Sequence, residues 1–245
     1  MNAAQTPRLS IQAGLYGLSF LINDGGREHW EYLDFEASHP PAIEPYLHDW
    51  LRRHQDLLQR KPAVTLVHHH PWYAWVPQAY FQPDKAMLYL QAHIHLLETD
   101  RPAYDTTPGS DRVNVYIPMV NLHNLLLDYT PEIHYYHSAT LLDRYALETA
   151  GEITEPRIIV RSGKRDFQTG IWEGNRLLFF NTFPAETTDD FLYYFLFAWE
   201  KTGMDKREPD ILLTGPRAER WAEELNGFLA GIRTEDLDRT LLKLV

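Results

Sequence analysis

The sequence predicts a mixed α/β protein built from two successive lobes, each ordered β-β-β-α-β-α. Three observations carry that expectation. A β-favouring run from Leu9 to Phe35, broken by Gly14, Gly17 and Asp24-Gly25-Gly26, reads as three strands joined by tight hairpins. A second run, from Arg157 to Phe183 with Ser162-Gly163 and Glu173-Gly174-Asn175 at its turns, repeats the signature. After each triplet comes a helix with an apolar face.

In the first half, Ile43, Tyr46, Leu47, Trp50, Leu51, His54, Leu57 and Leu58 recur at helical spacing and stop before Pro62. Ala63 to Val67 reads as a buried strand. The stretch from Trp72 to Phe81 reads as a Pro-rich loop whose aromatics suit a protein interface. Met87, Leu90, Ile94 and Leu97 repeat at helical spacing, which places His93 and His95 on a helix. A strand at Arg112 to Ile117, a helix at Val120 to Tyr129, a strand near Ile133 and a helix at Leu141 to Leu147 complete this half.

In the second half, Thr187 is the expected N-cap of a helix carrying Phe191, Phe195 and Ala198 on one face, with Asp190 three residues on and Gly203 at its C-terminus. Asp210 to Leu213 follows as a strand, and Trp221, Leu225 and Phe228 mark a last helix. Gly151 to Pro156 is the natural junction, so the lobes are expected at residues 1–152 and 153–245. The alternative is one continuous α+β domain holding two hairpin sheets.

Composition narrows the function. With 245 residues and 44% hydrophobic residues, the chain can bury a core in either arrangement. Lys and Arg total 23 against 34 Asp and Glu, and a net charge of −11 repels nucleic-acid phosphates and anionic lipid. Nucleic-acid partners and direct membrane insertion are therefore not expected. There is no cysteine, which removes disulfides, thiolate nucleophiles and Cys-ligated metals and fits a cytoplasmic location. Neither a Gly-x-Ser-x-Gly elbow nor a Walker-type phosphate loop occurs.

His68-His69-His70 is the most conspicuous chemical feature, with His93, His95, His134 and His137 elsewhere. Clustered imidazoles suggest a His-ligated metal hydrolase. Adjacent residues on a strand point to opposite faces, so the spacing does not build a metal site, and none is expected.

Four stretches carry a family resemblance: Leu9 to Phe20 (LSIQAGLYGLSF), Asn114 to Asn124 (NVYIPMVNLHN), His137 to Thr140 (HSAT) and Leu178 to Leu196 (LFFNTFPAETTDDFLYYFL). On these the chain resembles a bacterial domain family of unknown function grouped with the actin-like ATPases of ribonuclease-H-like fold. The resemblance extends distantly to the pilus-assembly and cell-division members of that superfamily. The resemblance implies two ribonuclease-H-like lobes and two Gly-containing hairpins that hold nucleotide phosphates, with an Asp organising Mg²⁺.

At the matching positions Gln12 stands in the first hairpin and Arg161 in the second. An amide is a weak ligand and a guanidinium repels the ion, so hydrolysis is not expected and no catalytic residue is assigned. The resemblance leaves Gly14, Gly17, Ser162, Gly163, Lys164 and Gly215 as the candidate cofactor-binding residues, with ATP the one candidate ligand. Asp24, Asp166 and Asp210 are substitutes for the missing acid if nucleotide is bound. The competing reading makes Gly14, Gly17 and Gly163 turn glycines of positive φ. The expected function is a non-catalytic actin-like scaffold that binds a protein partner or a second copy of itself. A nucleotide-binding protein is the alternative and a metal hydrolase the remote one.

Overall fold

The computed structural model describes residues 6–37, 39–151, 156–203 and 209–245. They fall into two units, one holding the described residues of 1–106, 112–140 and 242–245, the other those of 107–111 and 141–241. The expected junction after residue 152 lies outside the described residues.

The first unit opens with the antiparallel strands β1 (Arg8–Gly14), β2 (Gly17–Asp24) and β3 (Arg27–Asp34), in the register Gly14 opposite Gly17. Helices α1 (Glu44–Arg53) and α2 (Gln55–Gln59) follow, so the single expected helix breaks at His54, whose φ of −114° and ψ of 33° interrupt it. Next come β4 (Ala63–His69), β5 (Tyr73–Pro77), α3 (Ala86–Gln91), β6 (Ala103–Thr106), β7 (Arg112–Tyr116), α4 (Val120–Leu127) and β8 (Ile133–His137). The helix α5 (Ser138–Glu148) starts in this unit and runs on in sequence into the second.

One sheet takes the order β3-β2-β1-β4-β8, with β4 parallel to both β1 and β8. Leu9, Ile11, Phe20, Leu47 and Trp50 pack into its core, where the Trp50 ring stacks on Phe20 at 3.9 Å. A second, three-stranded sheet, β5-β7-β6, was not anticipated. The segment read as a loop at Trp72 to Phe81 contributes β5, because Tyr73 to Pro77 pairs with Tyr116 to Arg112. Helix α3 also ends at Gln91, and His93 and His95 lie in irregular chain beyond it.

The second unit repeats the first sheet. Strands β9 (Arg157–Ser162), β10 (Asp166–Glu173) and β11 (Arg176–Pro184) form an antiparallel meander, then come α6 (Thr188–Lys201), β12 (Asp210–Thr214), α7 (Ala218–Leu225), β13 (Ile232–Thr234) and α8 (Asp238–Lys243), of which β13 and α8 were not read from the sequence. The order β11-β10-β9-β12-β13, with β12 parallel to β9 and β13, matches that of the first sheet. The tandem lobes expected from the hairpin signatures are therefore present as two ribonuclease-H-like sheets.

Helix α6 starts as predicted. The Thr187 side chain accepts from Asp190 N at 3.1 Å, and the Asp190 carboxylate accepts from Thr187 N at 2.9 Å, a complete capping box. Gly203 follows the helix at φ 61°, as a left-handed C-terminal residue. The core of this unit centres on Phe167, Phe191, Phe195 and Trp221, and the rings of Phe191 and Trp221 stack at 3.9 Å.

Truncating that stack leaves a cavity the sheet cannot close. Trp221→Ala is expected to lower unfolding stability by about 3–5 kcal/mol in chemical denaturation. Phe228→Ala, at a ring that is 80% exposed, is expected to change it by less than about 0.5 kcal/mol.

Candidate functional site

The six candidate residues lie at the ends of the central strands. In the first unit Gly14 closes β1 and Gly17 opens β2, and Gly14 sits beside His69 at the end of parallel β4. In the second, Ser162 closes β9, Gly163 and Lys164 form the turn to β10, and Gly215 follows β12. The fold brings Ser162, Gly163 and Gly215 together and leaves Lys164 exposed.

None of Gly14, Gly17 and Gly163 has a positive φ, which corrects the expectation that they are left-handed turn residues. Close approach explains them instead. A Cβ on Gly17 would lie 2.9 Å from the Leu33 carbonyl, and one on Gly163 would strike the Asp166 side chain. Gly215 meets both demands: its φ is 90°, and a Cβ there would collide with the Ser162 carbonyl.

Arg217, which the sequence reading missed, organises the second hairpin. Its guanidinium donates through Nε to the Gly163 carbonyl at 2.9 Å, and through its other nitrogens to Asp166 O at 2.9 Å and Ala185 O at 2.6 Å. It also lies 4.4 Å from the centre of the Trp221 ring, a cation–π contact at i+4 on the same helix. The Ser162 hydroxyl is engaged internally as well, donating to Thr214 O at 2.9 Å and accepting from Arg217 N at 3.0 Å. Arg161, buried in β9, pairs with Asp238 at 2.7 Å.

Two of the substitute acids, Asp24 and Asp210, have cationic partners of their own. Asp24 accepts two bonds from Arg60 at 2.6 and 2.8 Å. Asp210 accepts two from Arg233 at 2.9 and 3.0 Å and lies 3.2 Å from Arg157. Asp166 lends its backbone carbonyl to Arg217 and its side chain to the space beside Gly163.

In the first unit the corresponding strand ends carry a buried polar cluster. His68, His70 and His137 are inaccessible to solvent, while His69 points the other way and shares a 3.0 Å hydrogen bond with Ser138 Oγ. Asp105 is nine-tenths buried and accepts from Thr140 Oγ1 at 2.7 Å, His137 N at 2.8 Å and the Tyr116 hydroxyl at 3.0 Å. Its carboxylate therefore serves the first turn of α5, where helix amides favour negative charge. Its partners stand 11, 32 and 35 residues away, so no local pattern announces it.

The imidazoles are arranged for packing. Nδ1 of His68 accepts from Met119 N, that of His70 from Trp72 N, and that of His137 from Ala139 N, at 3.3, 3.2 and 3.1 Å. The proton of each neutral ring is then on Nε2, and for His137 it is donated to His70 O at 3.0 Å. A ring bound to metal through Nε2 carries its proton on Nδ1, and here those positions face amide donors. Among the described residues, no group of three or more His, Asp or Glu could hold a metal ion.

Beside this cluster the first unit has an open groove of about 850 Å³, with walls that include His39, Pro40, Trp72, Leu97, Ile117 and Val120. It is mainly apolar. Trp72 links it to the cluster by stacking on His70 at 4.8 Å. The sequence pointed to Trp72 as an interface residue, but the facing residues come from distant segments.

Comparisons with known proteins agree with this fold. A Bacteroides thetaiotaomicron protein with an actin-like ATPase fold and unknown function superposes with a TM-score of 0.83 and 18% identity, over 99% of this chain and 97% of that one. A chain of the PilM–PilN type IV pilus biogenesis complex superposes with a TM-score of 0.58 and 11% identity, over 97% and 94%. At such identities the likeness concerns the fold, which is that of the actin-like ATPases. No curated protein sequence matches significantly. Residues 2–223 match the family described as "Protein of unknown function (DUF3822)".

The buried cluster makes stability pH-dependent. Burial, helped by neighbouring imidazoles, holds His68, His70 and His137 well below the usual 6.5. Their unfolded forms take up protons that the folded forms refuse, so stability is complete above about pH 6.5 and declines below it. Asp105 acts in the opposite sense. Burial raises it to about 6, so from there down to its ordinary 3.8 acidification favours the fold. Three groups oppose one, and each net proton changes stability by about 1.4 kcal/mol per pH unit. Urea midpoints are expected to fall between pH 7.5 and 5.5; a constant midpoint would contradict the cluster.

Proposed function

Since the chain belongs to the DUF3822 family, a family of unknown function, we propose that it is a protein-binding member of the actin-like fold that does not hydrolyse nucleotide. The observation that carries this reading is the chemistry of the second hairpin. Where phosphate and Mg²⁺ need an anionic organiser, the chain has Arg161 paired with Asp238 and Arg217 bound to three backbone carbonyls. A guanidinium repels a divalent cation, and these two are already held by protein acceptors. In the first unit Gln12 offers only a neutral amide.

The groove supports the second half of the reading. Protein-binding surfaces are centred on aromatic and apolar anchors, and Trp72, Leu97 and Val120 provide them. The PilM–PilN relative is itself part of a protein complex, which bears on this chain by analogy of fold. No described helix is long and apolar enough to cross a membrane. With no cysteine in the chain, we place this activity in the cytoplasm.

Thermal melting with and without Mg-ATP tests the reading. No shift and no phosphate release above buffer are expected. Specific binding at a thousandfold excess over Kd would add about 4 kcal/mol and move the midpoint by several degrees. A shift without phosphate release would make this a nucleotide-binding protein, and phosphate release would make it an enzyme. Val120→Asp, at a 47% exposed position, is expected to leave the melting temperature unchanged and to reduce capture of the native partner in co-purification from the host.

A further inference from the structure

Helix α6 is apolar on a face that its own sheet leaves exposed, where Tyr193 packs against Tyr194 and Phe197 lies beneath Lys201. Residues Phe191 to Trp199 are uninterrupted apolar and aromatic residues, yet only Phe191, Phe195 and Ala198 are buried. Tyr193, Leu196 and Phe197 are 66%, 54% and 38% exposed. They stand at i, i+3 and i+4, so they form one contiguous surface on the outer side of the helix. A helix apolar all round is ordinarily buried all round. Asp189 lies one turn before this patch and Glu200 one turn after it, and both are exposed.

The groove of the first unit has complementary properties. Leu97 and Val120 expose 61% and 47% of their surface there. Pro40, Pro41 and Pro118 line it and have no N–H to offer, and the Asn121 amide already donates to Pro40 O at 3.2 Å. Such walls cannot extend a β-sheet onto an incoming strand. They suit a segment whose backbone bonds are already satisfied, which is an amphipathic helix with anchors at i, i+3 and i+4. Arg101, also lining the groove, donates to the carbonyls of Glu98 and Asp100, and among the described residues it has no ion-pair partner. Asp189 and Glu200 are exposed at the two ends of the α6 patch. The Asp100 carboxylate is turned to Leu97 N at 2.8 Å.

We propose that the groove of one copy receives the α6 face of a second copy, with Tyr193, Leu196 and Phe197 seated in it and the acids of α6 meeting Arg101. The chain thus carries both halves of one contact, an apolar groove that suits a helix and a helix with uncovered anchors. Asp189 and Glu200 are opposite in sign to Arg101, the Lys201 ammonium is folded over the Phe197 ring at 5.2 Å, and packing the two surfaces together removes both from water. The groove belongs to one unit and the helix to the other, so the contact is heterologous. Each pairing leaves one groove and one helix available, and the assembly extends unless its rotation closes a ring. The inference takes from the protein-binding reading only that the groove is a docking surface. Nucleotide assays and capture of the native partner decide that reading, and hydrodynamics of the purified chain decides this one.

Sedimentation velocity of the full chain tests it. The mean mass of the wild-type protein is expected to rise with concentration to at least twice the monomer mass. Val120→Asp in the groove and Tyr193→Asp on α6 should each sediment as monomer, with melting temperatures equal to that of the wild type. Mixed in equal amounts they should form a heterodimer, because the first retains its helix and the second its groove. A wild-type protein that stays monomeric at every concentration, a single variant that still associates, or a mixture that stays monomeric would overturn the proposal. If Tyr193→Asp melts early, Leu196→Lys provides the same readout at another exposed anchor.

Discussion

A charged group taken out of water has to be met by hydrogen bonds, and in this chain that requirement shapes the strand ends where a ligand would be expected. In the second unit Arg217 draws three carbonyls from the chain around Gly163, Asp166 and Ala185 onto one guanidinium. In the first, Asp105 gathers Tyr116, His137 and Thr140 around one carboxylate. Removing a partner of Asp105 would leave unsatisfied polar atoms in a site closed to solvent, and removing Arg217 would strip three part-buried carbonyls of their donor. The hairpin glycines answer to crowding of a simpler kind, from strand neighbours such as His69, Leu33 and Asp166. They are small because neighbouring atoms come close, and of the six candidates only Gly215 needs positive φ.

The two sheets share one strand order and differ in what surrounds them. Both place three antiparallel strands beside two parallel ones. The first unit adds a small sheet, β5-β7-β6, covered by α3 through Val76, Leu90, Val113 and Val115. The residues that line the groove come from the chain around this addition, from the start of α4 and from His39 to Pro41 ahead of α1. The fold of the actin-like ATPases thus carries, in this chain, an apolar groove beside the strand ends of its first unit. Shared architecture does not transmit activity, since activity resides in particular side chains.

Much of the architecture was legible in the chain because it depends on local rules. Glycine-punctuated β-runs specified both meanders, and Thr187, Asp190 and Gly203 marked the limits of α6 three to four turns apart. Legibility failed where a local preference was overridden. Met87, Leu90, Ile94 and Leu97 kept helical spacing, yet α3 stops at Gln91 and Leu97 lies exposed in the groove. The Trp72 to Phe81 stretch looked like a loop until Tyr116 and its neighbours supplied a strand for it to pair with.

The sequence by itself determined the tandem α/β order and the helix boundaries set by caps. Each follows from residue type and spacing over a few positions. Only the tertiary structure decided what occupies the strand ends and which apolar residues stay uncovered. Arg217 reaches carbonyls 32 to 54 residues away, Asp105 reaches α5 across more than 30, and Tyr193 differs from Phe195 only in which side of one helix meets the sheet. Periodicity marks an apolar residue, but burial depends on whether another surface arrives to cover it, and that is a property of the folded chain.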